Sequence, residues 1–262
     1  MEFIDWKSTS VILGPGPYGK AIFEKYPSWG GFIEAGLLRL LKKSRRTSVY
    51  LRHGNGQAFI LKYYRTLPFP VRWPWLHGRP RRVWPIGVAL EKAGVPVPAN
   101  VALVRPSSGL TVILLECLAD AVTLHAFVTA GKADERHFVE LGRLAGRLHR
   151  AGVVHGDLKW SNIMVGSPDA RNAPRFCLID LDGAFWFKGD DPAARARDMA
   201  RFLCDGIKER IEDGLLMAFL DGYKQIWSND NGLMAQSVKR LARLLEKKGI
   251  YRSSFSAAVK LR

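Results

Sequence analysis

The segment His155–Asn162 holds the residues whose types and spacing best fit a chemical step. Its letters, HGDLKWSN, place Asp157, Lys159 and Asn162 within one short loop. A carboxylate can orient an attacking hydroxyl and take its proton, an ammonium can stabilise a transferring phosphoryl group, and an amide oxygen can bind Mg²⁺. The spacing H-x-D-x-K-x-x-N is that of a kinase catalytic loop. We therefore predict phosphoryl transfer, with Asp157 as the catalytic base and Lys159 as the catalytic cation.

A second acidic position follows this loop. The apolar run FCLI at residues 176–179 predicts a short strand that leads into Asp180. Kinases place a second metal-binding carboxylate after such a strand, so we predict Asn162 and Asp180 as the ligands of Mg²⁺. Asp182 either assists the metal or bonds to neighbouring backbone. We interpret His155 as a residue that packs and hydrogen-bonds to hold the loop together, rather than one that transfers protons.

Residues 47–64 carry the clearest strand pattern of the N-terminal half. The letters TSVYLRHGNGQAFILKYY contain two β-rich runs around an Asn-Gly pair, which suits the positive φ angles of a tight hairpin turn. Lys62 falls on the second run, where an ammonium can act as a fixed countercharge for the α- and β-phosphates of ATP. A strand lysine can also be an ordinary surface residue, and its place before the catalytic loop favours the phosphate-binding role. The run TVILLE at residues 111–116 predicts a buried strand.

The order of the predicted elements divides the chain into two parts. Apolar residues recur at three- and four-residue spacing before the loop, which predicts one buried helical face: Phe138, Leu141, Leu144, Ala145 and Leu148. Helix-like sequence resumes at about Ala193. We therefore predict an α+β protein of two lobes. A small β-rich N-lobe occupies residues 1–118, a larger helical C-lobe occupies residues 119–262, and the hinge lies near residues 116–120.

Two segments compete for the role of a loop that covers phosphate. GPGPYGK at residues 14–20 fits G-x-G-x-x-G in its letters, but its prolines remove backbone donors, so a rigid turn is favoured over nucleotide contact. KKSRRT at residues 42–47 directly precedes the hairpin, and its arginines could clamp phosphate. The region around Trp73, Trp75 and Trp84 is rich in proline, which predicts an irregular segment. These tryptophans form either an interfacial or sugar-facing patch or part of the core.

The composition favours a folded, basic protein with an anionic partner. Of 262 residues 47% are hydrophobic, and 40 Lys and Arg against 24 Asp and Glu give a formal net charge of +16. The three widely spaced cysteines suggest neither a disulfide framework nor a zinc site, as in a reducing cytosol. No apolar run approaches the roughly 20 residues of a membrane span. We expect a cytoplasmic protein, with peripheral contact to the anionic inner-membrane surface left open; nucleic-acid binding is disfavoured because no recognised motif is present.

Taken together, these segments resemble the lipopolysaccharide kinase family, bacterial enzymes that phosphorylate Kdo or heptose sugars of the lipopolysaccharide core. The resemblance spans about residues 36–205 and is carried by KKSRRTSVYLR, AFILKYYR, LEKAGVPVP, HGDLKWSNIMV, LIDLDG and RDMARFL. It implies a two-lobed, protein-kinase-like fold. It also implies ATP as the phosphoryl donor, Mg²⁺ as the cofactor, and an anionic glycolipid or sugar as the acceptor.

The resemblance assigns roles to individual residues. It implies that Lys62 contacts the ATP phosphates, that Asp157 is the base, and that Asn162 and Asp180 hold Mg²⁺. It further implies that Asp198 braces the catalytic loop from beneath.

The expected adenine site and one departure concern the first lobe. The resemblance implies that backbone groups of the hinge, at Glu116 and Leu118, pair with adenine, with ATP in the cleft between the lobes. Kinases commonly place a glutamate on the helix after the lysine strand to pair with that lysine, and Val83 stands at this position. Glu91, two turns later, either replaces that glutamate or leaves Lys62 to phosphate and Asp180.

Other functions share the same residues. A different small-molecule or protein kinase would use the same loop, because the fold does not specify the acceptor. A nucleotide-binding pseudokinase that acts as a scaffold at the membrane would explain the missing glutamate, but Asp157, Asn162 and Asp180 argue against it.

Overall fold

The computed structural model describes residues 10–13, 38–44, 47–54, 57–64, 74–105, 111–118, 120–167, 175–228 and 231–250. The strands are β1 (Ser10–Leu13), β2 (Leu38–Lys43), β3 (Thr47–Gly54), β4 (Gln57–Tyr64), β5 (Asn100–Arg105), β6 (Thr111–Glu116), β7 (Val122–Thr123), β8 (Val153–Val154), β9 (Ile163–Gly166), β10 (Arg175–Leu178) and β11 (Phe185–Trp186). The helices are α1 (Pro74–Lys92), α2 (Leu124–Thr129), α3 (Glu135–Arg150), α4 (Pro192–Lys208), α5 (Asp213–Ile226) and α6 (Leu233–Lys247).

The described residues fall into two compact units. The first takes the described residues of 10–88 and 98–118, and the second takes residues 89–97 and the described residues of 120–250. Ala89–Val97 therefore groups with the second unit, although the sequence-based division placed it in the N-lobe. A backbone hydrogen bond attaches this segment to the second unit, because the Leu178 amide of β10 donates to the Pro96 carbonyl over 2.9 Å.

The first unit contains a six-stranded sheet in the order β1-β5-β6-β4-β3-β2, with every neighbouring pair antiparallel. The predicted hairpin is present, with Thr47 opposite Tyr64 and Gly54 opposite Gln57. Its Asn-Gly turn lies outside the described residues. Strand β6 has neighbours on both sides and a run of buried side chains, Val112–Leu114, so the prediction of a buried strand at TVILLE is confirmed.

The expected phosphate-covering loop at residues 42–47 is shorter than predicted. Lys42 and Lys43 belong to β2, where they pair with Val49 and Ser48 of β3. The turn begins at Ser44, whose amide donates to the Thr47 carbonyl over 2.8 Å. Pairing between two β-rich runs therefore draws the lysines into the sheet. The alternative at residues 14–20 lies outside the described residues.

A long helix occupies the segment that was predicted to be irregular. Helix α1 spans Pro74–Lys92 and includes Pro80 and Pro85, which remove two amide donors. The helix persists because it buries one apolar face, and this burial outweighs the local cost of proline. That face consists of Val83, Trp84, Ile86 and Leu90.

The prediction of an interfacial or sugar-facing tryptophan patch is wrong for Trp84, the one of the three tryptophans whose side chain the structure describes. Trp84 is buried on helix α1, as its alternative assignment to the core required. Trp73 and the side chain of Trp75 lie outside the described residues. Glu91 is exposed near the end of the same helix.

In the second unit, helix α3 confirms the predicted helical face. All five apolar residues of the predicted face are buried. The helix begins with a capping box, in which Asp134 accepts from the amide of His137 and the His137 side chain accepts from the Asp134 amide. Helices α3 and α5 touch through two glycines: a Cβ on Gly142 or on Gly222 would lie 2.0 Å from a carbonyl oxygen of the facing helix.

Short strands of the second unit frame the loop at residues 155–162. Strand β8 leads into the loop and pairs with β11, while β9 leaves the loop and pairs with β10 and β7. The predicted strand before Asp180 is therefore present as β10. In the part of the chain that the structure describes, no helix has the length and apolar character to span a membrane.

Candidate active site

The Asp157 carboxylate is held by three side chains. Its Oδ2 atom lies 2.8 Å from the Lys159 Nζ atom and accepts from the Asn162 Nδ2 atom over 3.3 Å. Its Oδ1 atom accepts from two nitrogens of Arg201 on helix α4, Nε over 2.8 Å and Nη2 over 2.5 Å. The loop therefore brings Asp157, Lys159 and Asn162 together as the sequence predicted, and the fold adds a cation that the sequence analysis missed.

The charges around Asp157 determine its protonation. Burial raises the pKa of the Asp157 carboxyl, but the hydrogen bonds and positive charges of Lys159 and Arg201 outweigh it and hold that pKa below its ordinary value. The group is therefore ionised at neutral pH. An ionised carboxylate can orient a hydroxyl and accept its proton.

Asp198 supports the loop from helix α4. Its side chain is completely buried and accepts from the backbone amides of His155 over 2.6 Å and Gly156 over 2.8 Å. The His149 Nε2 atom lies 3.3 Å from the same carboxylate. This is the brace that the resemblance implied. The buried His155 side chain also holds the loop, since its Nε2 atom lies 2.9 Å from the Ile179 carbonyl oxygen.

Gly156 is required by the backbone of the site. It adopts a φ of +80°, and a Cβ there would lie 2.3 Å from the Gly183 carbonyl oxygen. The loop at residues 155–162 thus packs directly against the segment that carries Asp180 and Asp182. No other residue fits this approach without a backbone shift.

Trp160 anchors the loop that carries Asp157, Lys159 and Asn162. Its ring is fully buried, 5.9 Å from the Phe138 ring and 5.8 Å from the Phe202 ring, and Phe202 stacks on Phe219 at 3.8 Å. Its amide donates to Asp205 of helix α4 over 2.9 Å. Helices α3, α4 and α5 thereby fix the position of a loop that has little regular structure.

Asn162 and Asp180 meet through the backbone. The Ile179 amide donates to the Asn162 carbonyl over 2.9 Å, which brings Asp180 next to the end of the loop. Asp180 adopts a left-handed conformation, with φ of 64°, at the start of the 3-10 turn Leu181–Gly183. Such a conformation costs about 1–3 kcal/mol for a residue other than glycine and is common at functional sites.

The donor set of these two residues fits Mg²⁺. The Asn162 amide nitrogen donates to the Asp157 carbonyl over 2.9 Å, which turns its amide oxygen away from Asp157. An amide oxygen and one carboxylate are hard ligands, and Mg²⁺ commonly takes few protein ligands together with phosphate and water. Within the described ranges, no group of three or more His, Cys, Asp or Glu residues could bind a metal by itself.

The remaining predicted site residues belong to the first unit. Lys62 lies on β4 with 9% of its surface exposed, and its Nζ atom is 5.8 Å from the centre of the Tyr64 ring. Glu116 ends β6 with an exposed side chain, and its amide donates to the Ala99 carbonyl over 3.0 Å. Leu118 follows two residues later and is half-buried.

Arg201 carries a signal that the sequence did contain. It lies three residues after Asp198 on one helix, so both side chains occupy the same face, toward the loop. Once Asp198 is assigned as the brace, a cation one turn later becomes a candidate to reach Asp157.

Comparison with known proteins identifies the family. The sequence matches the model of the "Lipopolysaccharide kinase (Kdo/WaaP) family" over residues 71–223, which is more than half of the chain. The chain belongs to the Kdo/WaaP lipopolysaccharide kinase family. It is a kinase, and membership in the family implies the use of ATP.

One curated relative and two solved structures are similar to this chain over most of its length. The chain is 29% identical to a 3-deoxy-D-manno-octulosonic acid kinase of Xylella fastidiosa (strain 9a5c) over 219 residues, covering 76% of this chain and 82% of the relative. It is similar to a structure of WaaP in complex with acyl carrier protein, with a TM-score of 0.63 and 20% identity. This similarity covers 93% of this chain and 99% of the WaaP chain.

A spectinomycin phosphotransferase in complex with ADP and spectinomycin is also similar, with a TM-score of 0.54 and 9% identity. The similarity covers 81% of this chain and 82% of the phosphotransferase chain. At these identities the two structures show the fold alone, and they confirm the predicted protein-kinase-like α+β architecture.

Proposed function

We propose that this kinase transfers the γ-phosphoryl group of ATP to a hydroxyl of a 3-deoxy-D-manno-octulosonic acid (Kdo) residue in the lipopolysaccharide core. The observation that carries the proposal is the Asp157 carboxylate, held ionised between Lys159 and Arg201. The curated Kdo kinase that the chain resembles over most of its length favours Kdo over heptose.

In this proposal the second unit performs the transfer. Asp157 orients the acceptor hydroxyl and takes its proton as the oxygen attacks the γ-phosphorus atom, and the bond from that atom to the bridging oxygen of ADP breaks. Lys159, next to the base, stabilises the negative charge of the transferring group. Asn162 and Asp180 would hold Mg²⁺, whose charge neutralises phosphate oxygens.

We assign nucleotide binding to the first unit. Lys62 would contact the α- and β-phosphates of ATP, and backbone groups at Glu116 and Leu118 would pair with adenine. The nearly buried position of Lys62 supports this role, because a partly desolvated ammonium interacts strongly with phosphate.

The acceptor would be reached at the cytoplasmic face of the inner membrane by peripheral contact. Strand β2 lies at the end of the described strand order, and it exposes 49% of Leu40 and 47% of Leu41 beside Lys42 and Lys43. Exposed leucines next to cations suit an anionic lipid surface. Sedimentation with vesicles of anionic phospholipid should decrease when both leucines become serine; unchanged binding would contradict this contact.

A direct assay tests the proposed acceptor. Purified protein is incubated with labelled ATP and Mg²⁺, either with a glycolipid that ends in Kdo or with one that ends in heptose. We expect label on the Kdo glycolipid, and mass spectrometry should place one added phosphate on the Kdo residue. Label on the heptose glycolipid alone would replace Kdo as the acceptor, and label on neither would reject the proposed function.

A further inference from the structure

Side chains of the described residues occupy the hydrogen-bond acceptor positions of the Asp157 carboxylate. A carboxylate offers about four lone-pair sites. Arg201 fills two at Oδ1, and Lys159 and Asn162 fill two at Oδ2. An incoming hydroxyl can therefore bond to Asp157 only after one of these donors leaves.

The three donors differ in what else they can bind. Lys159 and Asn162 are the groups that the proposed reaction directs to the phosphoryl group and to Mg²⁺. Arg201 has no such role in the proposed reaction. Its side chain is 31% exposed. The helix that carries it is fixed by the buried residues around Asp198. Its guanidinium is therefore the donor that a second anion can reach.

We propose that Arg201 recognises the carboxylate of the acceptor sugar, and that by binding it the guanidinium leaves Oδ1 of Asp157 for the acceptor hydroxyl. This inference rests on the proposed function, because a Kdo residue carries a carboxylate close to its hydroxyls. Arg201 is thus a specificity residue that connects binding of an acidic sugar to release of the base.

The chemistry of the guanidinium suits this exchange. Arginine binds carboxylates through a planar pair of N–H groups, and it can trade one carboxylate for another without loss of its charge. A neutral sugar offers no equivalent anion, so Arg201 would stay on Oδ1 and the acceptor hydroxyl could reach only Oδ2, after Lys159 turns to the phosphoryl group. A neutral acceptor would therefore lose both the carboxylate contact with Arg201 and access to Oδ1.

A cycle of protein and acceptor changes tests the inference. The wild type and Arg201→Gln are each assayed with the Kdo glycolipid and with its carboxamide, which is neutral and has the same shape and hydroxyls. For the wild type we expect kcat/KM to fall about 10- to 100-fold on the carboxamide, the range of a charged hydrogen bond. For Arg201→Gln we expect a difference of less than about 3-fold between the two acceptors, with the KM for ATP unchanged.

The possible results separate the inference about Arg201 from the proposed function. If Arg201→Gln lowers kcat/KM equally with both acceptors, Arg201 only positions Asp157, and the inference fails while the proposed function stands. If the wild type uses both acceptors equally well, the inference also fails. If it phosphorylates neither, the proposed function fails and the inference falls with it.

Two controls separate recognition from folding. Arg197→Gln changes an exposed arginine one turn away on helix α4, whose guanidinium lies 6.0 Å from the Phe185 ring, and it should leave the preference for the acid acceptor intact. Arg201→Lys keeps the charge but not the paired N–H groups, so it should restore part of the preference. Thermal unfolding of all variants shows whether a loss of activity reflects a loss of structure.

Discussion

Asp157 and Asp198 are two carboxylates of the same site that are held in different ways. Asp198 is fully buried and accepts from two backbone amides, which cannot move without the chain. Asp157 is 29% exposed, and its donors are the side chains of Lys159, Arg201 and Asn162. Asp198 therefore has fixed partners and serves the fold, while Asp157 has partners that can exchange, as its proposed role in the reaction requires.

The groups that surround Asp198 and Asp157 also differ in charge. Asp198 accepts from two backbone amides, and the His149 Nε2 atom lies 3.3 Å from its carboxylate. Asp157 faces two permanent cations at the surface of the loop, where a phosphoryl group and an anionic acceptor can compete for them. Changes at the two positions should therefore separate activity from stability.

The largest effect should come from Asp157→Ala. We expect kcat to fall about 10²- to 10⁴-fold, because the acceptor hydroxyl loses its base, while nucleotide binding and the unfolding midpoint change little. Transfer from labelled ATP, together with nucleotide titration, measures both. Glu246→Gln, which removes an exposed carboxylate on helix α6, is the control. Full activity of Asp157→Ala would remove the base from the mechanism.

Asp198→Ala should instead lower stability and activity together. The substitution leaves two buried backbone amides without their acceptor, and each such amide costs roughly 1–3 kcal/mol. Denaturant unfolding should show a loss of about 2–4 kcal/mol in the free energy of unfolding. If this variant folded with wild-type stability and lost only activity, Asp198 would belong to the chemistry and the contrast with Asp157 would fail.

The sequence predicted the residues that share one loop better than those that meet across the fold. Asp157, Lys159 and Asn162 lie within six residues, so their spacing alone brings them together. Arg201 is 44 residues from Asp157, and its contact depends on how helix α4 packs against the loop. No local pattern reports that packing.

The first unit shows where local signals misled. Prolines in the segment from residue 74 predicted irregular structure, yet helix α1 forms there because burial of Trp84 and its apolar neighbours outweighs two missing amide donors. The hairpin of β3 and β4 was predictable, since alternation and an Asn-Gly turn are local signals. Tertiary burial decided the first case and short-range chemistry the second.

Gly156→Ala should give a smaller effect on stability. The new Cβ would meet the Gly183 carbonyl oxygen at 2.3 Å, and alanine would have to adopt a φ of +80°. We expect a loss of about 1–3 kcal/mol in the free energy of unfolding, with reduced kcat because Asp157 is displaced. Gly189→Ala is a matched control, because Gly189 also has a positive φ of 63° but no atom within 4 Å of the added Cβ. Equal activity of the two variants would show that the close approach at Gly156 does not position the base.

Tyr223→Phe should produce the smallest change and defines how far the support of Asp198 extends. Burial raises the pKa of Tyr223 to about 12, so its hydroxyl keeps its proton; the hydroxyl oxygen lies 2.9 Å from the His149 Nδ1 atom and accepts from the Arg195 Nη1 atom over 3.3 Å. The other ring nitrogen of His149 lies 3.3 Å from the Asp198 carboxylate, so the hydroxyl supports Asp198 through this ring. Removing the hydroxyl should cost about 1 kcal/mol of stability and leave the KM for ATP unchanged, with kcat lowered only a few-fold. A loss of kcat as large as that of Asp157→Ala would mean that the buried carboxylate, and not only the exposed one, depends on side-chain donors that can exchange.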